Sequence, residues 1–243
     1  MTSSRLLCWA LVLLAMALVG WIRWLPQSLG IADDAADRLA RRQIQERVAR
    51  EAPAPAPAPP LAQAGELADQ WIGRHPAQFE AEQSAIARRL CVDLTYAGDD
   101  GREHVYLGDY DSYLWLRHAR TFLRTGTPCD AVVDGTCRDT HTNAPVGARS
   151  SYARSLHVAA IVTVHHVVGW FRPAHPLPAS AFLVPVIAGV LGVLPAFFVA
   201  RGLAGTTAGV FAAVLTGVHP FVLTRTIGSD NDVWNVVLPL YVL

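Results

Sequence analysis

SAFLVPVIAGVLGVLPAFFVARGLAGTTAGVFAAVLTGVHPFVL, residues 180–223, decides the architecture. It holds two apolar runs, Ser180–Ala200 and Thr206–Leu223, each near the ~20 residues a helix needs to cross hydrocarbon. Arg201 and a short Gly-rich turn separate them, leaving room only for a tight hairpin. Val233 opens a further apolar run, still rising in hydrophobicity at Leu243, so the chain reads as truncated or as a fragment of a longer protein. At the other end, Leu6–Trp24 follows Arg5 and closes with Trp21, Arg23 and Trp24. That is a membrane helix with a basic inner flank and an aromatic interfacial belt. A cleaved signal peptide is the rival, with Ala15-Met16-Ala17 imitating a cleavage site. Apolar residues continue past it to Ile22 and favour an uncleaved anchor.

Composition agrees. Apolar residues make up 52% and charged residues 16%, whereas a soluble domain carries about a quarter charged residues. A net charge of +0 gives no electrostatic argument for nucleic acid. The polar middle reads in pieces. Asp33–Glu51 is charged all round, with Asp34/Arg38, Asp37/Arg41 and Glu46/Arg50 at i,i+4 spacing, and reads as a solvated helix. Ala52–Pro60 alternates Ala and Pro, favouring an extended spacer. Leu61–Leu94 is mildly amphipathic, offering Trp71, Ile72, Phe79, Ile86 and Leu90 to a small packed face. Ser155–Phe171 is about one span long but carries His157, His165 and His166 between Arg154 and Arg172. Polar atoms are costly in hydrocarbon, so a helix lying in the interface is expected. With that choice, the loop after the first span and the loop at Arg225–Asp232 face the same side, and Arg5 and Arg201 share the other. The expected organisation is an anchor helix (1–25), an external helical and Pro-Ala insert (26–107), an external loop with interfacial helices (108–178), and a membrane hairpin leading into the next span (179–243).

Of the four cysteines, Cys8 falls in the first apolar run as a buried small hydrophobe. Cys129 and Cys137 flank a short Gly-containing loop assigned outside the cytoplasm; a disulfide fits there, and free thiols are the alternative. Their spacing is not that of a zinc site.

Two acidic motifs stand at comparable places, each just before a helix: Asp109-Tyr110-Asp111-Ser112-Tyr113, and Asp230-Asn231-Asp232 after Arg225-Thr226. Singly, each has a plain explanation, Asp111 and Asp232 being N-cap candidates. Together, two carboxylate pairs at the water edge of adjacent spans can approach one divalent cation of the hard, oxygen-seeking kind. The helix after the first motif sets Arg117, Arg120 or Thr121, and Arg124 along one side, with Leu116, Ala119 and Leu123 on the other. A basic stripe suits a pyrophosphate-bearing donor; an amphipathic helix resting on headgroups is the equal alternative.

Asp111-Ser112-Tyr113 with Arg117 resembles the acidic motif in the first external loop of the catalytic subunits of oligosaccharyltransferase. Arg225-Thr226 leading into Asp230-Asn231-Asp232 resembles their second acidic motif, and the likeness covers roughly Gly108 to the end. The resemblance implies an all-α integral membrane fold of the GT-C type: many spans, a long external first loop, and an active face outside a bacterial or archaeal cell membrane. It implies transfer of an oligosaccharide from a polyprenyl-pyrophosphate donor to Asn in an acceptor protein's sequon. Asp111 and Asp230 would then hold Mn²⁺ or Mg²⁺, with Asp232 supporting, while Tyr113, Arg117 and Arg225 would face substrate. The segment Gly30–Gly108 is longer than the family's, and the gap from Arg225 to Asp230 is shorter, which leaves open which Asp of the second pair plays which part. The chain also stops before the family's later acidic loop and its sequon-reading domain, so residues 1–243 alone are expected to show no peptide glycosylation. Another polyprenyl-donor glycosyltransferase, such as an O-mannosyl type, or a non-catalytic membrane scaffold are the alternatives.

Overall fold

The computed structural model describes residues 3–51, 61–98, 100–226 and 228–242; the Ala-Pro stretch Ala52–Pro60 lies outside them. The chain divides into two compact units, one formed by Met1–Trp24 with Leu107–Leu243 and the other by Leu25–Tyr106.

The Leu25–Tyr106 unit contains α2 (Ile31–Glu51), α3 (Leu61–Arg74) and α4 (Pro76–Asp93), followed by a hairpin of β1 (Thr95–Ala97) and β2 (Glu103–Val105). The charged helix expected to be solvated on every side is not. Ala36, Ala40 and Ile44 of α2 are completely buried, and Ala40 and Ile44 pack with Ala68 and Phe79, backed by Trp71, Ile72 and Ile86. Alanine is too small to register strongly as hydrophobic, so a stripe at four-residue spacing hides among charges. Arg47 holds the bundle by a two-pronged pair with Glu82, and Arg41 bridges Asp37 and Asp69. Pro76 ends α3 at Arg74, because the residue before a proline is pushed out of the helical region; His75 sits at φ −132°, ψ 52°.

In the other unit, α1 (Ser3–Trp24) packs along α7 (Leu177–Val218). These contain the stretches long and apolar enough to cross a membrane, Leu6–Trp24 and Leu177–Val218, so the chain has membrane character. α7 is not one rod. Ala204 (φ −141°, ψ 17°) and Gly205 (φ 84°, ψ −178°) leave the helix, and the chain doubles back. A Cβ at Gly209 would lie 2.8 Å from the carbonyl oxygen of Phe197; in a straight helix, twelve residues would separate them by about 18 Å. Val12, Ala15 and Val19 of α1 fill the seam between the limbs with Val193, Phe197 and Ala213. Trp24 meets Phe182 and Trp9 meets Phe198, so α1 runs antiparallel to the first limb. His219 (φ −60°, ψ 125°) interrupts the second limb before Pro220, and α8 (Pro220–Thr226) continues from there. α9 (Asp232–Val242) runs parallel to the first limb, with Val233 against Ala188 and Val237 against Gly192. The end of α1, the start of α7, the end of α8 and the start of α9 therefore share one end of the bundle.

On that end sit α5 (Tyr110–Thr125) and α6 (Leu156–Phe171). Trp115, Leu116 and Ala119 of α5 pack with Val158, Ile161 and Val162 of α6 and with Ala181, Phe182 and Val184 of α7. The fold is mostly helical rather than all-α. Between α5 and α6, strands β3 (Ala131–Val133), β4 (Thr136–Asp139) and β5 (Ala148–Arg149) form an antiparallel sheet. Its first hairpin turns on Asp134 (φ 49°) and Gly135 (φ 72°), the Asp-Gly pair that a two-residue turn with positive φ at both positions favours. A disulfide joins Cys129 to Cys137 across its base.

Candidate functional site

The first acidic motif is shaped by a cap, though not the one expected. Asp109, in extended conformation, accepts the Ser112 N–H at 2.7 Å and starts α5 at Tyr110. Asp111, the residue expected to cap, falls instead in the first turn and is exposed, so its carboxylate is left for other work. Tyr113, in the first turns of α5, is half-buried against the core, and its hydroxyl accepts the Leu107 N–H at 3.0 Å, fixing the backbone that leads into the motif.

The second motif follows α8. Arg225 is exposed at the end of that helix, and the Thr226 carbonyl accepts from Nη1 of Arg23 at 3.2 Å. Gly228 (φ 86°) turns the chain, and an added Cβ there would come within 3.2 Å of Gly108 N, Ser112 Oγ and Asp109 Oδ2. Only a residue without a side chain lets the two loops approach so closely. Asp230 accepts the Asp232 N–H at 3.4 Å, and Asp232 accepts from the Asn235 side chain at 3.1 Å.

The two loops are tied together. The Ser229 N–H donates to Ser112 Oγ at 2.7 Å, with both residues fully buried. The carboxyl of Asp230 is pushed above the ordinary carboxylate range, first by burial and then by Asp232 and Asp109, charges of its own sign. The structure thus brings Asp109 beside Asp230 and Asp232. Among the described residues these carboxylates do not make up a trio of ligand atoms within 4.8 Å.

Such a trio exists elsewhere: Asp130, Asp139 and His141, a set of donors that could coordinate a divalent cation. Arg117 already stands there. Its Nη1 binds Asp130, and its Nη2 lies 2.8 Å from Asp139. His141 Nδ1 lies 3.3 Å from Asp130, and Asp139 accepts the His141 N–H at 2.9 Å and the Thr142 hydroxyl at 3.1 Å. Burial works against ionisation of Asp139, but the His141 N–H, Arg117 and Thr142 together hold its carboxyl well below the usual range. The same balance of burial against Arg117, Thr140 and His141 lowers Asp130. An incoming cation would have to displace a guanidinium. Arg117, expected to face a substrate, here clasps α5 to β4. Thr121, expected on the basic side of α5, is buried with His118.

His157 of α6 is buried against Ser229 of the second loop. The three histidines of α6 marked the helix as costly to immerse, and a buried imidazole demands partners; no sequence rule says which.

Residues 84–243, well over half of the chain, match the family described as "Oligosaccharyl transferase STT3, N-terminal". The chain belongs to the oligosaccharyl transferase STT3 family. Both acidic loops of this STT3 family member fall within the matched residues. The chain is also similar to the "Dolichyl-phosphooligosaccharide-protein glycotransferase" of Methanococcus voltae, at 28% identity over 142 residues, which is 56% of this chain and 15% of that protein. It therefore spans less than a fifth of that relative's length. No solved structure matches.

Proposed function

We propose that the paired acidic loops form the donor and acceptor site of an oligosaccharyl transferase, moving an oligosaccharide from a polyprenyl pyrophosphate to the side-chain amide of Asn in an acceptor sequon. The observation that carries the reading is the buried Ser229-to-Ser112 hydrogen bond, which ties the residue before Asp230 to the residue after Asp111. Family membership and the printed name of the Methanococcus voltae relative support the same chemistry. α1, the two limbs of α7 with α8, and α9 would cross the membrane. α6 would lie in the outer interface, its exposed Leu156, Val167, Trp170 and Phe171 turned to lipid.

The donor set fits Mn²⁺ or Mg²⁺. It consists of oxygen ligands alone, and the charges acting on Asp230 are carboxylates, so a hard divalent ion would relieve repulsion that the chain itself leaves standing. Asp111 and Asp230 would bind the ion and Asp232 would support them, leaving positions for phosphate oxygens. Once bound, the ion would supply positive charge where the pyrophosphate leaves. The chain's own contribution is orientation. The exposed Asp111 carboxylate can accept from the acceptor amide's N–H and so draw the weak nitrogen towards the anomeric carbon. Arg225, exposed beside the second loop, is the basic group assigned to the pyrophosphate.

In native membranes, Asp111→Ala and Asp230→Ala should each abolish transfer of lipid-linked oligosaccharide to an Asn-containing peptide, with expression unchanged by immunoblot. Full activity in both variants would leave the carboxylates as solvated loop residues and end this reading.

A further inference from the structure

The first turn of α6 delivers His157 to the place where the two acidic loops meet. Ser155 caps this helix by accepting the Val158 N–H at 3.3 Å, which fixes the turn. The ring is 1% exposed and lies edge-on between Trp115 and Trp234, with centroids 5.6 and 6.4 Å away. Both ring nitrogens are engaged. Nε2 lies 2.7 Å from the Ser229 carbonyl oxygen and 3.1 Å from its hydroxyl. Nδ1 lies 3.1 Å from Nε1 of Trp234. An indole nitrogen can only donate, so Nδ1 must accept. The proton then belongs on Nε2, where it is donated to the Ser229 carbonyl. The tautomer is set by the loop that the histidine holds.

Each grip has a definite address. Ser229 immediately precedes Asp230, and Trp234 follows Asp232 by two residues, so one imidazole spans the second motif from both sides. Ser229 passes the constraint on, its N–H donating to Ser112, whose own N–H is held by Asp109. An imidazole serving only to fill space would need shape; this one spends neither nitrogen on α6. From this geometry we infer that His157 is a positioning residue, which fixes the backbone of the second acidic loop against the first and so sets the angle at which Asp230 and Asp232 are presented. The inference rests on the proposed reading of the acidic loops as a cation site.

The test is a Mn²⁺ titration of the full chain in lipid nanodiscs, followed by the electron paramagnetic resonance of the free ion, with a thermal melt of each variant. Changing a side chain that orients metal ligands typically weakens affinity by about tenfold to a hundredfold, and that is the loss expected for His157→Ala. His157→Gln, whose carboxamide carries both N–H donors and a carbonyl acceptor, should recover most of the affinity. Trp234→Phe, which removes only the indole donor, should weaken binding in the same direction by less. If His157→Ala does not fold, the Gln and Phe variants decide. Unchanged Mn²⁺ affinity in His157→Ala and Trp234→Phe, beside its loss in Asp230→Ala, would overturn the positioning role and leave the site standing. His157→Gln no better than His157→Ala would reduce the residue to packing and also overturn it. An Asp230→Ala chain that binds Mn²⁺ as the parent does would take down the site reading and this inference together.

Discussion

Two groups of carboxylates, both near α5, are handled in opposite ways. Asp130 and Asp139 meet Arg117, the Thr140 and His141 N–H groups and the Thr142 hydroxyl, and their carboxyls are lowered despite burial. Asp230 meets Asp232 and Asp109 and is raised. The first group is complete within the chain. In the second, Asp232 and Asp109 add their charges to the effect of burial on Asp230, and a carboxyl perturbed by burial and like charge is a candidate for a functional site. Proximity of acidic and imidazole ligands alone points to Asp130, Asp139 and His141; the resident guanidinium of Arg117 is what distinguishes that group from the acidic loops.

The sharpest way to break this contrast is Arg117→Met. Removing one partner of a buried ion pair destabilises by about 3–5 kcal/mol, so denaturant unfolding of the chain in detergent should show a large drop. A drop below about 1 kcal/mol, the value of an exposed pair, would erase the difference between the groups. Next comes acid. Burial lowers His157 from 6.5 to about 4, so between those values the unfolded chain binds the proton more readily. Stability should be full above pH 6.5 and fall as pH drops toward 4, by at most about 3 kcal/mol. Asp130 and Asp139 add a later loss of the same sign, below the usual carboxylate range. Urea midpoints across pH 4–7 read the histidine step, and a His157→Gln chain should lack it.

Cys129→Ser with Cys137→Ser tests whether the hairpin that carries Asp130 and Asp139 needs its crosslink. For a separation of 8 residues, chain entropy predicts a loss of roughly 2–3 kcal/mol, measurable as a lower melting temperature. The smallest expected effect has the opposite sign. Asp230→Asn removes a charge that the fold resists, so the melt should stay level or rise slightly, while Mn²⁺ binding is lost. A destabilised Asp230→Asn chain would place that carboxylate with the structural group.

The apolar architecture was legible because the runs around α1 and α7 are long enough for length alone to decide. The break between Arg201 and Thr206 was legible from glycine. The acidic loops were legible as motifs, but their caps were not: Asp109 and Asp111 are equivalent by residue type, and helix phase against the core chose the first. The ion pairs of Arg117 were not legible, because its partners lie at a small sheet whose strands are two to four residues long, too short for alternation to show. α2 misled, with alanines forming its buried face. His157 could be flagged as needing a partner, while its partner, 72 residues away, was set by tertiary packing alone.

The turn at Gly205 reaches further than its size suggests. Its φ of 84° with ψ of −178° belongs to a region essentially closed to residues bearing a Cβ. Alanine there would carry strain of about 1–3 kcal/mol. The hairpin should survive it, because straightening α7 would strip Val193, Phe197 and Ala213 of the packing they share with Val12, Ala15 and Val19. The bend brings the chain back to the end of the bundle where α7 began, and in the proposed topology that return is what would let the loop holding Asp230 meet the loop holding Asp111.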